Sequence, residues 1–176
     1  MIEELLDVLY GNRKNYKGNE QTKYLLINNP EFRNMIIEGI KENKINGFSE
    51  ELWVKIANQN VRGINSFEDV FEDGANIDHC TVASKQLSYS FNSCLIAGGT
   101  NKYLINSPFA KEKDGRHTWI IKNQFIYDTT FMLIISKDYE QKLGYIEENA
   151  YDPNMDSIYL ATKEFTNDKS LRAAIK

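Results

Sequence analysis

The chain has 176 residues, 41% of them hydrophobic, enough for one ordinary domain with a real core. Its 21 basic and 25 acidic residues give a net charge of −4, so it carries no basic footprint for nucleic acid. No apolar run approaches the roughly 20 residues that span a bilayer, and a single domain over 1–176 is expected.

The opening, Met1-Ile2-Glu3-Glu4-Leu5-Leu6-Asp7, is acidic and lacks the positive start of a signal peptide. A cytoplasmic protein is therefore expected, unless it is exported by a specialised route. In that setting Cys80 and Cys94, the two cysteines, stay reduced.

Residues 1–73 read as a helical N-terminal part. Glu3 to Tyr10 is a short amphipathic helix ended by Gly11, and the polar stretch Asn12 to Gln21 reads as a mobile loop. Asn29-Pro30-Glu31 starts a helix: Asn caps, Pro fits the first turn and Glu meets the positive end of the dipole. Phe32, Met35, Ile36 and Ile40 then recur at helical spacing and define its buried face. Ser49-Glu50-Glu51 opens a further helix with Leu52, Trp53, Ile56 and Ala57 on its apolar side. Ser66-Phe67-Glu68-Asp69 resembles a capping box for a short helix closed by Gly74.

Residues 74–135 change character. Asp78 can cap a helix over His79 to Phe91, with Val82, Ala83, Leu87 and Phe91 on one stripe and Cys80 in the first turn. Extended segments follow: Cys94 to Ala97, Lys102 to Ile105, Thr118 to Ile121, Phe125 to Thr129 and Phe131 to Ile135. Gly98-Gly99 and Asn123-Gln124 are the turns expected between them. Within the C-terminal extension, 136–176, Ser136 to Leu143 reads as a helix stopped by Gly144, and Ser157 to Phe165 fits a strand or a helix. Helices first and an antiparallel sheet after them make an α+β fold, with the Cys80 helix packed on the sheet.

The chemistry sits in Cys80, His117 and Asp128. A thiol, an imidazole and a carboxylate are the parts of a nucleophilic acyl-transfer site: the thiol attacks, the imidazole moves the proton and the carboxylate holds the imidazole. A helix start favours the thiolate at Cys80. Cys94, leading Leu95-Ile96-Ala97, reads as a packed strand residue, and His79 as a surface neighbour or a modulator of the thiol. If Asn123-Gln124 is a two-residue turn, Trp119 opposes Asp128 and His117 opposes Thr130. His117 and Asp128 then share one face as diagonal neighbours, whereas a three-residue loop would part them.

Metal binding fits poorly. Cys80, Cys94, His79 and His117 show no CxxC or HxxxH spacing, and the acidic residues show no calcium-loop spacing. No metal or cofactor is expected.

In order and local context the residues resemble the transglutaminase-like cysteine peptidase superfamily, with its papain-like Cys-His-Asp core. The likeness rests on Cys80 with Ser84 and Leu87 on a helix, Cys94 to Gly99, His117-Thr118-Trp119-Ile120-Ile121 and Tyr127-Asp128-Thr129-Thr130. It covers roughly residues 74–131. The resemblance implies Cys80 as nucleophile, His117 as general base and acid, and Asp128 as orienter, acting on a peptide or side-chain amide of a protein or peptide substrate. The chain departs from the pattern in having Thr81-Val82 after the cysteine, a short hairpin, and Thr129 after the aspartate.

The backbone N–H of Cys80 is one natural oxyanion donor. Asn76, Gln59 and Trp119 are the candidates for a second donor or for substrate contact. Protease, deamidase and transglutaminase share the first half-reaction, so all three remain open. Two rivals stand beside them: a non-catalytic binding module of phage or effector type on the same scaffold, and a small-molecule acyltransferase resembling the arylamine N-acetyltransferases.

Overall fold

A computed structural model describes residues 1–15, 17–52, 80–110 and 113–153. The N-terminal part contributes α1 (Ile2–Tyr10), α2 (Glu20–Asn28) and α3 (Pro30–Lys41), then the short strand β1 (Ile45–Gly47). α4 (Cys80–Ser88) precedes β2 (Leu95–Ile105), β3 (Asp114–Lys122), β4 (Phe125–Asp128) and β5 (Leu133–Ser136), and β6 (Tyr145–Tyr151) follows. The strands form one antiparallel sheet in the order β1-β5-β4-β3-β2-β6. The fold is α+β.

Local chemistry explains the elements that the sequence announced. Asn29 caps α3 by accepting a hydrogen bond from the Phe32 N–H, with Pro30 in the first turn. Phe32 and Ile36 are buried, and Met35 and Ile40 pack against the same core. Gly11 ends α1 at a positive φ of 54°. Ser49 accepts from the Leu52 N–H and opens the next helical turn. Trp53, Ile56, Ala57, the Ser66 box, Gly74 and Asp78 lie outside the described residues, as do the Val82 side chain and Ser157 to Phe165.

Four expectations are corrected. Asn12 to Gln21 is not a loop: 3-10 turns at Gly11–Asn15 and Lys17–Asn19 lead straight into α2. The polar sequence hid this because α2 buries Gln21 and Thr22 beside Leu25 and Leu26, so its inward face is not apolar. The helix at Cys80 stops at Ser88. Phe91 lies beyond it, packed on Tyr127 with ring centroids 5.0 Å apart.

Gly98-Gly99 is no turn, for β2 runs through it. A Cβ on Gly99 would sit 1.9 Å from the Ile146 carbonyl oxygen, and the β2–β6 register shifts between the two glycines. Ser136 to Leu143 is not an α-helix either. A single 3-10 turn at Lys137–Tyr139 is followed by turns to Gly144, at φ 79°. The chain doubles back here: the Glu140 N–H donates to the Lys137 carbonyl and the Tyr145 N–H to the Glu140 carbonyl, each at 3.1 Å, so tight turns replace a continuous helical ladder.

The helices α1–α3 pack on the sheet face that carries Trp119 and Asp128. Phe32 meets the rings of Tyr103 and Phe131 at 5.2 and 5.9 Å. Two hydroxyls converge on one buried carbonyl: Tyr10 Oη and Thr22 Oγ1 each donate to Phe131 O at 2.7 Å. We predict that Tyr10→Phe and Thr22→Val each cost about 1 kcal/mol of stability, because each leaves the carbonyl one donor. The double variant strips both donors and should cost about 1 kcal/mol more than the sum. Urea denaturation of the four proteins checks this, and strict additivity would show that the carbonyl is not shared.

Candidate active site

The β3–β4 hairpin turns on Asn123 and Gln124, both left-handed at φ 51° and 68°, the requirement of a type I′ turn. Its register pairs Lys122 with Phe125, Ile121 with Ile126 and Ile120 with Tyr127. Continued by one residue, it sets Trp119 opposite Asp128 and puts His117 and Asp128 on one face. His117 Nε2 lies 2.6 Å from Asp128 Oδ2. Neither group is an edge residue in water: His117 is 4% exposed and Asp128 0%.

Asp128 is held at both oxygens. The backbone N–H groups of Thr130 and Phe131 donate to Oδ1 at 2.9 and 3.0 Å, and the Tyr145 hydroxyl donates to Oδ2 at 2.5 Å. A buried carboxylate with this many donors keeps its charge out of water.

Pairing between β3 and β4 ends at Ile120 and Tyr127, and α4 approaches β3 beyond that point. Ser84 Oγ donates to the Thr118 carbonyl at 3.3 Å, and the Thr81 and Thr118 hydroxyls are 3.0 Å apart. The His117 imidazole and the Thr118 backbone lie beside the Cys80 sulfur, where both favour its thiolate. With Nε2 committed to Asp128, Nδ1 is the ring nitrogen left for the thiol.

The electrostatics follow. Burial pushes the Cys80 thiol up, but the hydrogen bond and charge of His117, with help from the Thr118 N–H, outweigh burial and the nearby Asp128, so the thiol lies below its ordinary value. Burial likewise disfavours the charged imidazole. Asp128, by charge and hydrogen bond, and Cys80 outweigh it and raise His117 to about 10. Both shifts favour a thiolate–imidazolium pair.

Cys80 and His117 open into a cavity of about 430 Å³, whose wall also includes Gly98, Gly99, Arg116 and Glu148. The glycines keep space beside His117, which pairs with Gly99 across the sheet. Gln21 is a further wall residue, fully buried, with its Oε1 accepting the Ser107 hydroxyl at 2.5 Å.

Of the proposed second donors, Asn76 and Gln59 lie outside the described residues, as does His79. Trp119 is 0% exposed and stands beside His117 at 5.6 Å and Tyr145 at 4.9 Å, so it packs against the imidazole. Tyr145 and Gln21 are the site residues the sequence did not reveal. No local pattern marks either, since each acquires its place through contacts with distant strands or loops. Cys94 is buried in the core, and no disulfide joins it to Cys80. Among the described residues no group of three or more His, Cys, Asp or Glu side chains is placed to hold a metal ion, and no helix is long and apolar enough to cross a membrane. Comparison with protein-family models, curated proteins and solved structures returned no match.

The shifted pair predicts a specific pH dependence of stability. Ordinary values are 9.0 for the thiol and 6.5 for the imidazole. The folded thiol gives up its proton at a lower pH than the unfolded one, and the folded ring keeps its proton to a higher pH, so the two linkages oppose each other between these values. As pH falls through the folded thiol's lowered range, the stability that the thiolate contributes is lost. Above 9.0 the folded imidazolium alone keeps its proton, and stability falls as pH rises toward about 10. Cys80→Ser leaves only the raised histidine, whose stabilisation is full below 6.5 and declines as pH rises above it. Urea midpoints of both proteins from pH 5 to about 10 test this. Parallel curves would show that Cys80 and His117 do not exchange charge.

Proposed function

We propose that the protein is a cysteine-dependent acyl-transfer enzyme acting on peptide or side-chain amides, similar in its core to the transglutaminase-like cysteine peptidases. One observation carries the reading: a buried imidazole lines the same cavity as a thiol and holds, through Nε2, a fully hydrogen-bonded buried carboxylate. The order Cys80, His117, Asp128 and the α+β frame support it, as does a cavity that opens onto the thiol.

The Cys80 thiolate attacks the amide carbonyl carbon and the C–S bond forms. As the C–N bond breaks, the proton on His117 passes to the leaving nitrogen, giving an amine or ammonia and a thioester on Cys80. Neutral His117 then takes a proton from water, or from an acceptor amine, which attacks the thioester. The C–S bond breaks and the thiolate–imidazolium pair is restored. Asp128 keeps the ring oriented and stabilises its charged form throughout. This reading assigns the backbone N–H of Cys80 as an oxyanion donor.

Iodoacetamide labelling read by peptide mapping tests this. Cys80 should react on the order of tenfold faster than a free thiol at pH 6, and Cys94 far more slowly. His117→Ala should remove the advantage. Asp128→Asn should cost about 10- to 10⁴-fold in turnover of an amide substrate while the fold survives. Slow, equal labelling of both cysteines would overturn the enzyme reading and favour a binding module on the same scaffold.

A further inference from the structure

We propose that Tyr145 is a positioning residue that limits how tightly Asp128 holds the His117 proton, by donating its hydroxyl to the same carboxylate oxygen. The inference rests on the acyl-transfer reading and assigns a fourth side chain to that site. Imidazole and phenol compete for Oδ2, at 2.6 and 2.5 Å, while Oδ1 is committed to two backbone N–H groups.

A carboxylate oxygen that accepts a second short hydrogen bond has less negative charge to offer the imidazolium. Acylation requires that imidazolium to give its proton to the leaving nitrogen, so an unrelieved Asp128 would hold the proton back. The phenol can act only as a donor to Asp128, since burial, followed by the charge of Asp128, keeps its proton on far above the ordinary range.

The geometry fixes the hydroxyl. The Tyr145 ring stacks on His117 at 6.3 Å and 30°, and meets Trp119 edge-on at 4.9 Å. Its backbone is set by the turn at Gly144, whose carbonyl accepts the Lys102 N–H at 2.9 Å. Among the described residues, the titratable groups that bear on this cluster are Cys80 from α4, Tyr10 from α1 and Glu140 from the connection before β6. Arg116 and Glu148 share the cavity, and Arg116 is paired with Asp114.

The test is Tyr145→Phe in the full chain, which keeps the ring stack and removes the hydroxyl. Iodoacetamide labelling of Cys80 is followed from pH 3 to 8. With its second donor gone, Asp128 stabilises the imidazolium more, so the pair forms at lower pH. The acid limb should move down by about 0.5–1 pH unit. Tyr145→Met, which also lacks the hydroxyl, should move the limb in the same direction. A limb that stays in place or moves up in the variants overturns the proposal, for Tyr145 would then be packing alone or an anchor that Asp128 needs. A wild-type Cys80 that titrates like an ordinary thiol sinks the triad reading itself, a different result from a normal wild-type limb that the variants leave unmoved.

Discussion

The buried charge of Asp128 is the constraint on which the rest depends. A carboxylate with no exposure costs several kcal/mol unless every lone pair finds a donor. Here the donors come from three places: the turn that follows β4, the imidazole on β3 and the phenol on β6. The β4–β5 turn must therefore be rigid enough to aim two N–H groups at Oδ1. That rigidity comes from outside the turn. Tyr10 and Thr22 seize the Phe131 carbonyl, and the Phe48 N–H donates to the Met132 carbonyl at 3.0 Å. Met132 takes a left-handed φ of 55° within this brace.

The part of the site written in local sequence was legible. The period of two along a strand and a two-residue turn at Asn123-Gln124 settle that His117 and Asp128 share a face, and the structure has that register. Asn29-Pro30-Glu31 and Ser49 announced their helices because capping is a contact between residues three apart. Other features depend on partners far along the chain. Gln21 looks like a loop residue until Ser107 is brought to it. Gly98-Gly99 looks like a turn until the Ile146 backbone is seen pressing against it. Tyr145 follows a glycine in a polar stretch, and only the crossover that places β6 beside β2 delivers its hydroxyl to Asp128.

The same glycine pair serves two ends. Its missing side chains let β6 approach β2 closely enough to shift register, and they leave the cavity open beside the thiol and imidazole. A larger residue at Gly99 would clash with the backbone of β6, the strand that carries Tyr145. Cavity shape and carboxylate geometry are thus linked through one strand pair.

This linkage changes how the chain divides. By composition the helical residues 1–73 and the segment 74–135 look like separate parts. In the fold the turn after β4 is held by α1, α2 and Phe48, and the Lys44 carbonyl accepts from the Ser136 N–H at 2.7 Å as β1 pairs with β5. A carboxylate buried at 0% exposure loses its setting if that turn relaxes by even a fraction of an ångström, since hydrogen bonds weaken steeply with geometry. Helices α1 and α2 therefore bear on Asp128 through the turn that they brace. They fix the oxygen atoms against which the His117 proton is balanced.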